Sequence, residues 1–144
     1  MTTTPTQMNI LDRTAQVLPR GTYAHWLLRL PLALVLMQQG IDKFPLSADM
    51  AAGFGVPFVL WIMAAAGEIA VAGLLIAGGF LRGVTGDLVT RVAGLGLAAI
   101  VAGVLYVAYW APPLELLMFN QFHLLLLAGG LYFALTGTRT RTAR

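Results

Sequence analysis

The sequence predicts an all-α polytopic membrane protein, a bundle of four transmembrane helices with both termini in the cytoplasm. Of its 144 residues, 58% are hydrophobic and only 10% are charged, whereas an average soluble domain carries about a quarter charged residues. The apolar residues also form four continuous stretches. Each is long enough for the roughly 20 helical residues that cross a hydrocarbon core. A soluble protein of this size needs more polar surface than this chain has.

The four stretches define the predicted helices, over residues 23–41, 57–81, 92–111 and 116–136 of a transmembrane domain at 23–137. Continuous apolar runs favour helices over a membrane barrel, whose strands alternate over about ten residues. Residues with turn propensity occupy 42–55 and 82–90, and Pro112 and Pro113 end the third helix. Because the loops are short, consecutive helices should be antiparallel neighbours.

The basic residues predict the orientation. Eight of the nine fall at the termini, early in the first helix or in the middle loop, and the opposite side has only Lys43. The positive-inside rule places that richer side in the cytoplasm of a bacterial-type inner membrane. The eight are Arg13, Arg20, Arg29, Arg82, Arg91, Arg139, Arg141 and Arg144.

The two terminal segments lie outside the transmembrane domain. Residues 1–22 contain polar and acidic residues where a signal peptide needs an apolar region, so we do not interpret them as one. Their apolar spacing suits a short interfacial helix, and a weakly ordered tail is an equal alternative. Residues 138–144 form a basic cytoplasmic tail.

Glu68 lies near the middle of the second predicted helix, where an ionisable group is costly and usually faces the bundle interior. Ala64, Ala65 and Ala72 on the same face let a neighbouring helix approach closely. Two interpretations stay open. Glu68 is either a proton carrier or acceptor for a bound polar group, or part of a buried ion pair or hydrogen bond that fixes packing.

Arg29 lies about six residues into the first predicted helix, on the face that also bears Gly40 and Lys43. Its long side chain has two predicted destinations. It would snorkel to the cytoplasmic interface, or it would reach Glu68 and pair with it. The sequence favours neither.

The outer ends of the helices hold a second polar group. The aromatic residues there also suit an aromatic belt, and His123 suits a hydrogen-bonded helix contact. The functional interpretation is a cleft open to the outer side, which would accept a quinone headgroup or a partner helix. Glu68 at its floor and His123 on its wall are then candidate proton partners. The other candidate pocket residues are Arg29, Gln39, Lys43, Tyr106 and Asn120.

The third predicted helix carries two rows of small residues and almost no polar side chain. Gly94, Ala98 and Ala102 repeat every four residues, and Ala99 and Gly103 form an adjoining row. Such rows let helices pack closely. We predict that one row packs inside the bundle and that the other contacts a helix of another protein chain.

No motif in the sequence predicts a bound metal or an organic cofactor. There is no cysteine, no carboxylate and histidine cluster with metal-ligand spacing, and no phosphate-binding or nucleophile motif. His25 and His123 fall near opposite ends of the bundle, which excludes haem bound between them. A quinone or a lipid remains a candidate ligand.

Several short motifs resemble the DoxX/DoxD-like family of small four-helix membrane proteins over about residues 27–137. They are the arginine in LRL at 28–30, GIDKF at 40–44, FGVP at 54–57, Glu68 among small residues, Gly73, the glycines at 78–79, and LTG at 135–137. The chain departs from the family pattern in its basic tail, where the family often has glycines and an aspartate. Its N-terminal segment is also unshared.

The resemblance implies a function in a redox membrane complex, since family members are similar to a subunit of a thiosulfate:quinone oxidoreductase. The first hypothesis is an accessory subunit that docks to other membrane proteins through its helix faces. The second is a quinone-interacting subunit that receives electrons from another chain. A weaker third is a small oligomeric transporter. The chain is poorly equipped to catalyse a reaction alone, and its scattered basic residues do not suit nucleic acid.

Overall fold

The computed structural model describes residues 23–138, and within that range the regular structure is entirely helical. The predictions for residues 1–22 and for the tail beyond Thr138 lie outside the described residues. The helices are α1 (His25–Ile41), α2 (Ala48–Gly53), α3 (Phe58–Phe80), α4 (Gly83–Ala108), α5 (Pro113–Phe119) and α6 (Gln121–Thr136).

The four longer helices pack as antiparallel neighbours in chain order, as the short loops predict. The main packed pairs are α1 with α3, α3 with α4, and α4 with α6, whereas α1 and α6 contact each other over only a small area. Large apolar side chains from all four helices meet in one core, in which Leu36, Leu75, Leu97 and Phe133 are fully buried. The apolar faces therefore bury one another, and the remaining apolar side chains cover the outside.

The connection between α3 and α4 is shorter than the sequence predicts. Residues 83–90 are helical, and only Leu81 and Arg82 separate the two helices. Gly83 begins α4 with a φ of +68°, a conformation that favours glycine. The prediction of a loop over 82–90 was wrong because only one of its two glycines is at a turn. Gly83 makes the corner, whereas Gly86 is a buried helical residue packed against the carbonyl groups of Leu81 and Gly78.

The last predicted helix is broken. The short α5 precedes α6, and the two axes meet at 96° across Asn120. No residue of α5 is buried, and Leu114, Leu117 and Phe119 are exposed. The prediction of one helix over 116–136 therefore misplaced its start. A continuous apolar run in the sequence does not reveal a change of direction within it.

Two buried or partly buried arginines contact helix carbonyls at the end of the molecule where α1 begins. The guanidinium of Arg29 donates to the carbonyl of Leu75 near the end of α3 and, over 3.1 Å, to the hydroxyl of Thr90 on α4. Arg91 donates to the carbonyls of Ala134 and Leu135 at the end of α6, over 3.1 and 2.8 Å. Ala134 and Leu135 are in the last turn of α6, where unpaired carbonyls and the helix dipole favour the positive charge of Arg91.

Two helices, α3 and α4, are long and apolar enough to cross a membrane. The bent pair α5 and α6 makes a third candidate if it is counted as one span. The helices α1 and α6 contain 17 and 16 residues, which corresponds to about 26 and 24 Å of helix. Over residues 23–138, the protein is thus helical and membrane-type, with two or three candidate spans.

Candidate functional site

A cavity of about 670 Å³ lies at the end of the molecule opposite the arginines. It lies between α3 and α4, beside their contact at Gly67 and Ile100, and the end of α1 and the start of α6 complete its wall. Most of its wall is apolar. The polar side chains in the wall are Gln39, Asp42, Lys43, Trp61, Glu68, Tyr109 and His123.

The cavity contains a buried ion pair. The ammonium of Lys43, just after α1, lies 2.6 Å from Oε2 of Glu68 in the middle of α3. Glu68 is only 1% exposed and the side chain of Lys43 is 15% exposed. Lys43 also donates to the carbonyl of Gln39 over 3.1 Å. The pair is therefore held in place by a backbone contact and largely shielded from the surroundings.

Gly40 allows the two helices to come close enough for this pair. A Cβ atom added at Gly40 would lie 3.1 Å from the carbonyl oxygen of Ala65 and 3.3 Å from Cβ of Glu68. Both distances are shorter than ordinary packing contacts, so a side chain there would push α1 away from α3. Lys43 follows Gly40 by three residues, about one helical turn, which sets it beside Glu68.

Trp61 forms the wall next to the ion pair. Its ring stacks against Phe54 with centroids 5.1 Å apart, and the ammonium of Lys43 lies 5.4 Å from its centroid. Trp61 is only 8% exposed, and its indole N–H has no hydrogen-bond acceptor among the described residues. A buried donor without a partner is uncommon in folded proteins, and each one costs about 1–3 kcal/mol.

Tyr109 and His123 form another part of the wall. Their rings lie 4.6 Å apart, and Tyr109 comes from the end of α4 while His123 comes from the start of α6. Both groups can donate or accept a hydrogen bond. The cavity is thus lined by an ion pair, by two aromatic polar groups and by apolar side chains.

The structure brings together four of the predicted pocket residues: Gln39, Lys43, Glu68 and His123 all line the cavity. Tyr106 does not, because it is exposed on the outside of α4 against Trp110. Asn120 also lies outside the lining and occupies the bend before α6.

Arg29 lies elsewhere, and neither of its two predicted destinations is correct. It is completely buried near the other end of the bundle, so it does not snorkel. It binds Leu75 and Thr90, and its guanidinium lies 4.8 Å from the ring centroid of Phe133. Glu68 binds Lys43 instead. Arg29 lies on α1 and Lys43 lies just after its end, and the register of α1 against α3 decides which of the two cations meets the carboxylate.

The two small-residue rows of α4 face different surroundings. Gly94 and Ala98 are buried and pack against Gly130 of α6. Ala99 and Gly103 line the cavity. Ala102 is exposed on the outer surface. The contact with another protein chain stays a prediction.

Sequence reasoning missed Trp61 and Phe54 as cavity residues. Trp61, Ala65, Glu68 and Ala72 follow one another at intervals of four, three and four residues, which places them on one helical face. This spacing would have linked Trp61 to Glu68. Phe54 gives no such signal, since it reaches Trp61 from the loop that follows α2.

Comparison of the chain with models of protein families, with curated proteins and with solved structures finds no match in any of the three. The resemblance to the DoxX/DoxD-like family stays a prediction. Function is therefore inferred from the cavity and the residues around it.

Proposed function

We propose that this chain is a membrane subunit of a larger oxidoreductase and that its cavity binds the head of a quinone. In this proposal all four longer helices span a bacterial-type inner membrane, with both termini in the cytoplasm and the cavity toward the outer side. The observation that supports it best is a buried Lys43–Glu68 ion pair in the wall of a mostly apolar cavity of about 670 Å³.

The chemistry of the cavity suits a quinone. Ligand sites are typically apolar cavities of about 300–1,000 Å³ with a few polar groups that orient the ligand. Quinone carbonyls accept hydrogen bonds, and Lys43, Trp61, Tyr109 and His123 can donate them. The isoprenoid tail is apolar and suits the walls between α3 and α4.

Glu68 and His123 are the candidate proton partners for the ligand. Reduction of a quinone to a quinol takes up two electrons and two protons, and oxidation of a quinol releases them. Both residues line the cavity and carry groups that can exchange protons. The electrons would come from or pass to another subunit of the complex. This assigns the chain a binding and proton-exchange role within a shared reaction.

The test begins with purification in a mild detergent. We expect extracted protein to contain quinone, and further membrane proteins to co-purify with it. Quenching of tryptophan fluorescence by an added short-chain quinone then gives an affinity. We expect Glu68→Gln to weaken binding about tenfold, because the neutral amide loses the charge-assisted hydrogen bond that positions the ammonium of Lys43, a donor to the quinone carbonyl.

Glu115→Gln is the matched control, because Glu115 is an exposed carboxylate on α5 that does not line the cavity. Its affinity should equal that of the native protein. Native protein that neither contains nor binds quinone would refute the proposed ligand. Equal affinities for the two variants would refute the role of Glu68. Purification without any partner would refute membership of a complex.

A further inference from the structure

The α4 wall of the cavity includes two small residues, Ala99 and Gly103, among larger apolar side chains such as Ile100 and Val104. Ala64 lines the α3 side. A Cβ atom added at Gly103 would meet no atom within 4 Å. By contrast, an added Cβ at Gly130 would lie 2.8 Å from the backbone nitrogen of Ala98. Helix packing therefore requires a glycine at position 130, whereas at position 103 there is room for a side chain.

A glycine inside a helix lowers stability by roughly 0.5–1 kcal/mol relative to alanine. Where packing does not require the glycine, as at Gly103, this cost is accepted for the space that the glycine leaves. Here the space is continuous with buried polar groups. Glu68 and Trp61 both line the same cavity, and the buried indole N–H of Trp61 has no hydrogen-bond partner among the described residues. The small residues and the polar groups together indicate space kept for a ligand with a polar part.

The seam between α3 and α4 is open beside this space. Met63 on α3 and Val107 on α4 line the cavity and are exposed on the outside of the molecule. Neither carries a charge, so a lipid tail can lie against them. The charged groups Asp42 and Lys43 lie at the end of α1 instead.

We propose that the ligand enters sideways from the lipid between α3 and α4, and that its flat ring lies against Ala99 and Gly103. This inference rests on the proposed quinone function. The space beside Ala99 and Gly103 forms a slot for this ring. Gly103 sets the width of the slot, so the site accepts planar one-ring or two-ring heads. A side chain at this position fills the slot without disturbing the contact between α4 and α6.

The experiment compares Gly103→Leu with Gly73→Leu. Gly73 is an exposed glycine on α3 whose added Cβ would also meet nothing within 4 Å, and it does not line the cavity. Both variants are made in a chain with Trp26→Phe and Trp110→Phe, so that Trp61 alone reports binding. The protein is placed in lipid nanodiscs, and a benzoquinone with a ten-carbon tail is added. Circular dichroism and gel filtration verify that each variant is folded.

We expect Gly103→Leu to weaken quinone binding at least tenfold, Gly103→Ala to weaken it less, and Gly73→Leu to leave it unchanged. If the background chain binds quinone and Gly103→Leu binds it equally well, the slot is refuted while the proposed function stands. If the background chain binds no quinone, the proposed function fails and the inference fails with it. If Gly103→Leu instead releases a co-purifying protein and retains quinone, then Ala99 and Gly103 form a helix-docking surface, which overturns the inference.

Discussion

At the scale of single residues, the pairing of Lys43 with Glu68 makes a clear energetic prediction. Removing one partner of a buried ion pair leaves an uncompensated charge and typically costs about 3–5 kcal/mol. We therefore expect Lys43→Leu to lower the free energy of unfolding in detergent by several kcal/mol. The double variant with Glu68→Leu should recover most of this loss. A double-mutant cycle, measured by chemical denaturation in one detergent, gives the coupling energy.

Arg29 is the matched control for this cycle, because it is another buried cation on the same face of α1. It binds Leu75 and Thr90 instead of Glu68. The effects of Arg29→Leu and Glu68→Leu should therefore add to within about 0.5 kcal/mol. Strong coupling between Arg29 and Glu68, or none between Lys43 and Glu68, would contradict the pairing seen in the structure.

Part of this arrangement could be predicted from residue types alone. Alanines around Glu68 predict that it faces other helices, and it is buried. The choice between Arg29 and Lys43 depends on how far α1 slides along α3, and no local pattern encodes that register. It is fixed by the close approach at Gly40 and by the chain between α1 and α3. Trp61 lies near the start of α3, where an aromatic residue also suits a membrane interface, so its position alone does not indicate a cavity wall.

At the scale of helices, the two rows on α4 predict opposite responses to the same substitution. An added Cβ at Gly94 would lie 2.6 Å from the carbonyl oxygen of Gly130. Such overpacking against backbone costs about 1–3 kcal/mol. Gly94→Ala should therefore lower the thermal midpoint, whereas Gly103→Ala should leave it unchanged or raise it slightly, since alanine favours helix. Equal decreases for the two variants would show that both rows are packed.

The helix boundaries show where apolar pattern is informative and where it fails. The centres of all four predicted helices are helical, because each has an uninterrupted apolar run. The pattern fails at the α3–α4 corner, where buried Gly86 and Thr90 extend α4 toward the turn. It fails again at Asn120, because α5 and α6 are both apolar and differ only in direction. An apolar run in the sequence predicts a helical segment that avoids water, but it does not predict where that helix bends.

At the scale of the whole molecule, the ends of the protein are chemically distinct. The arginine contacts to Leu75, Ala134 and Leu135 lie at one end, and the cavity with Lys43 lies at the other. In the proposed topology the arginine end is cytoplasmic, which follows the positive-inside rule. The apolar α5, set at 96° to α6, then suits the outer membrane interface. The short α1 and α6 suit a membrane that thins locally beside them.

Cysteine labelling tests this topology directly, since the chain has no native cysteine. Ala48 on α2 and Thr85 near the start of α4 are both exposed and lie beyond opposite ends of α3. We expect Ala48→Cys to react with a membrane-impermeant maleimide in intact cells, and Thr85→Cys to react only after the cells are opened. The cysteine-free native chain is the control for background labelling. The reverse pattern would invert the orientation. Labelling of both positions in intact cells would mean that α3 does not span the membrane, and the four-span topology would then be wrong.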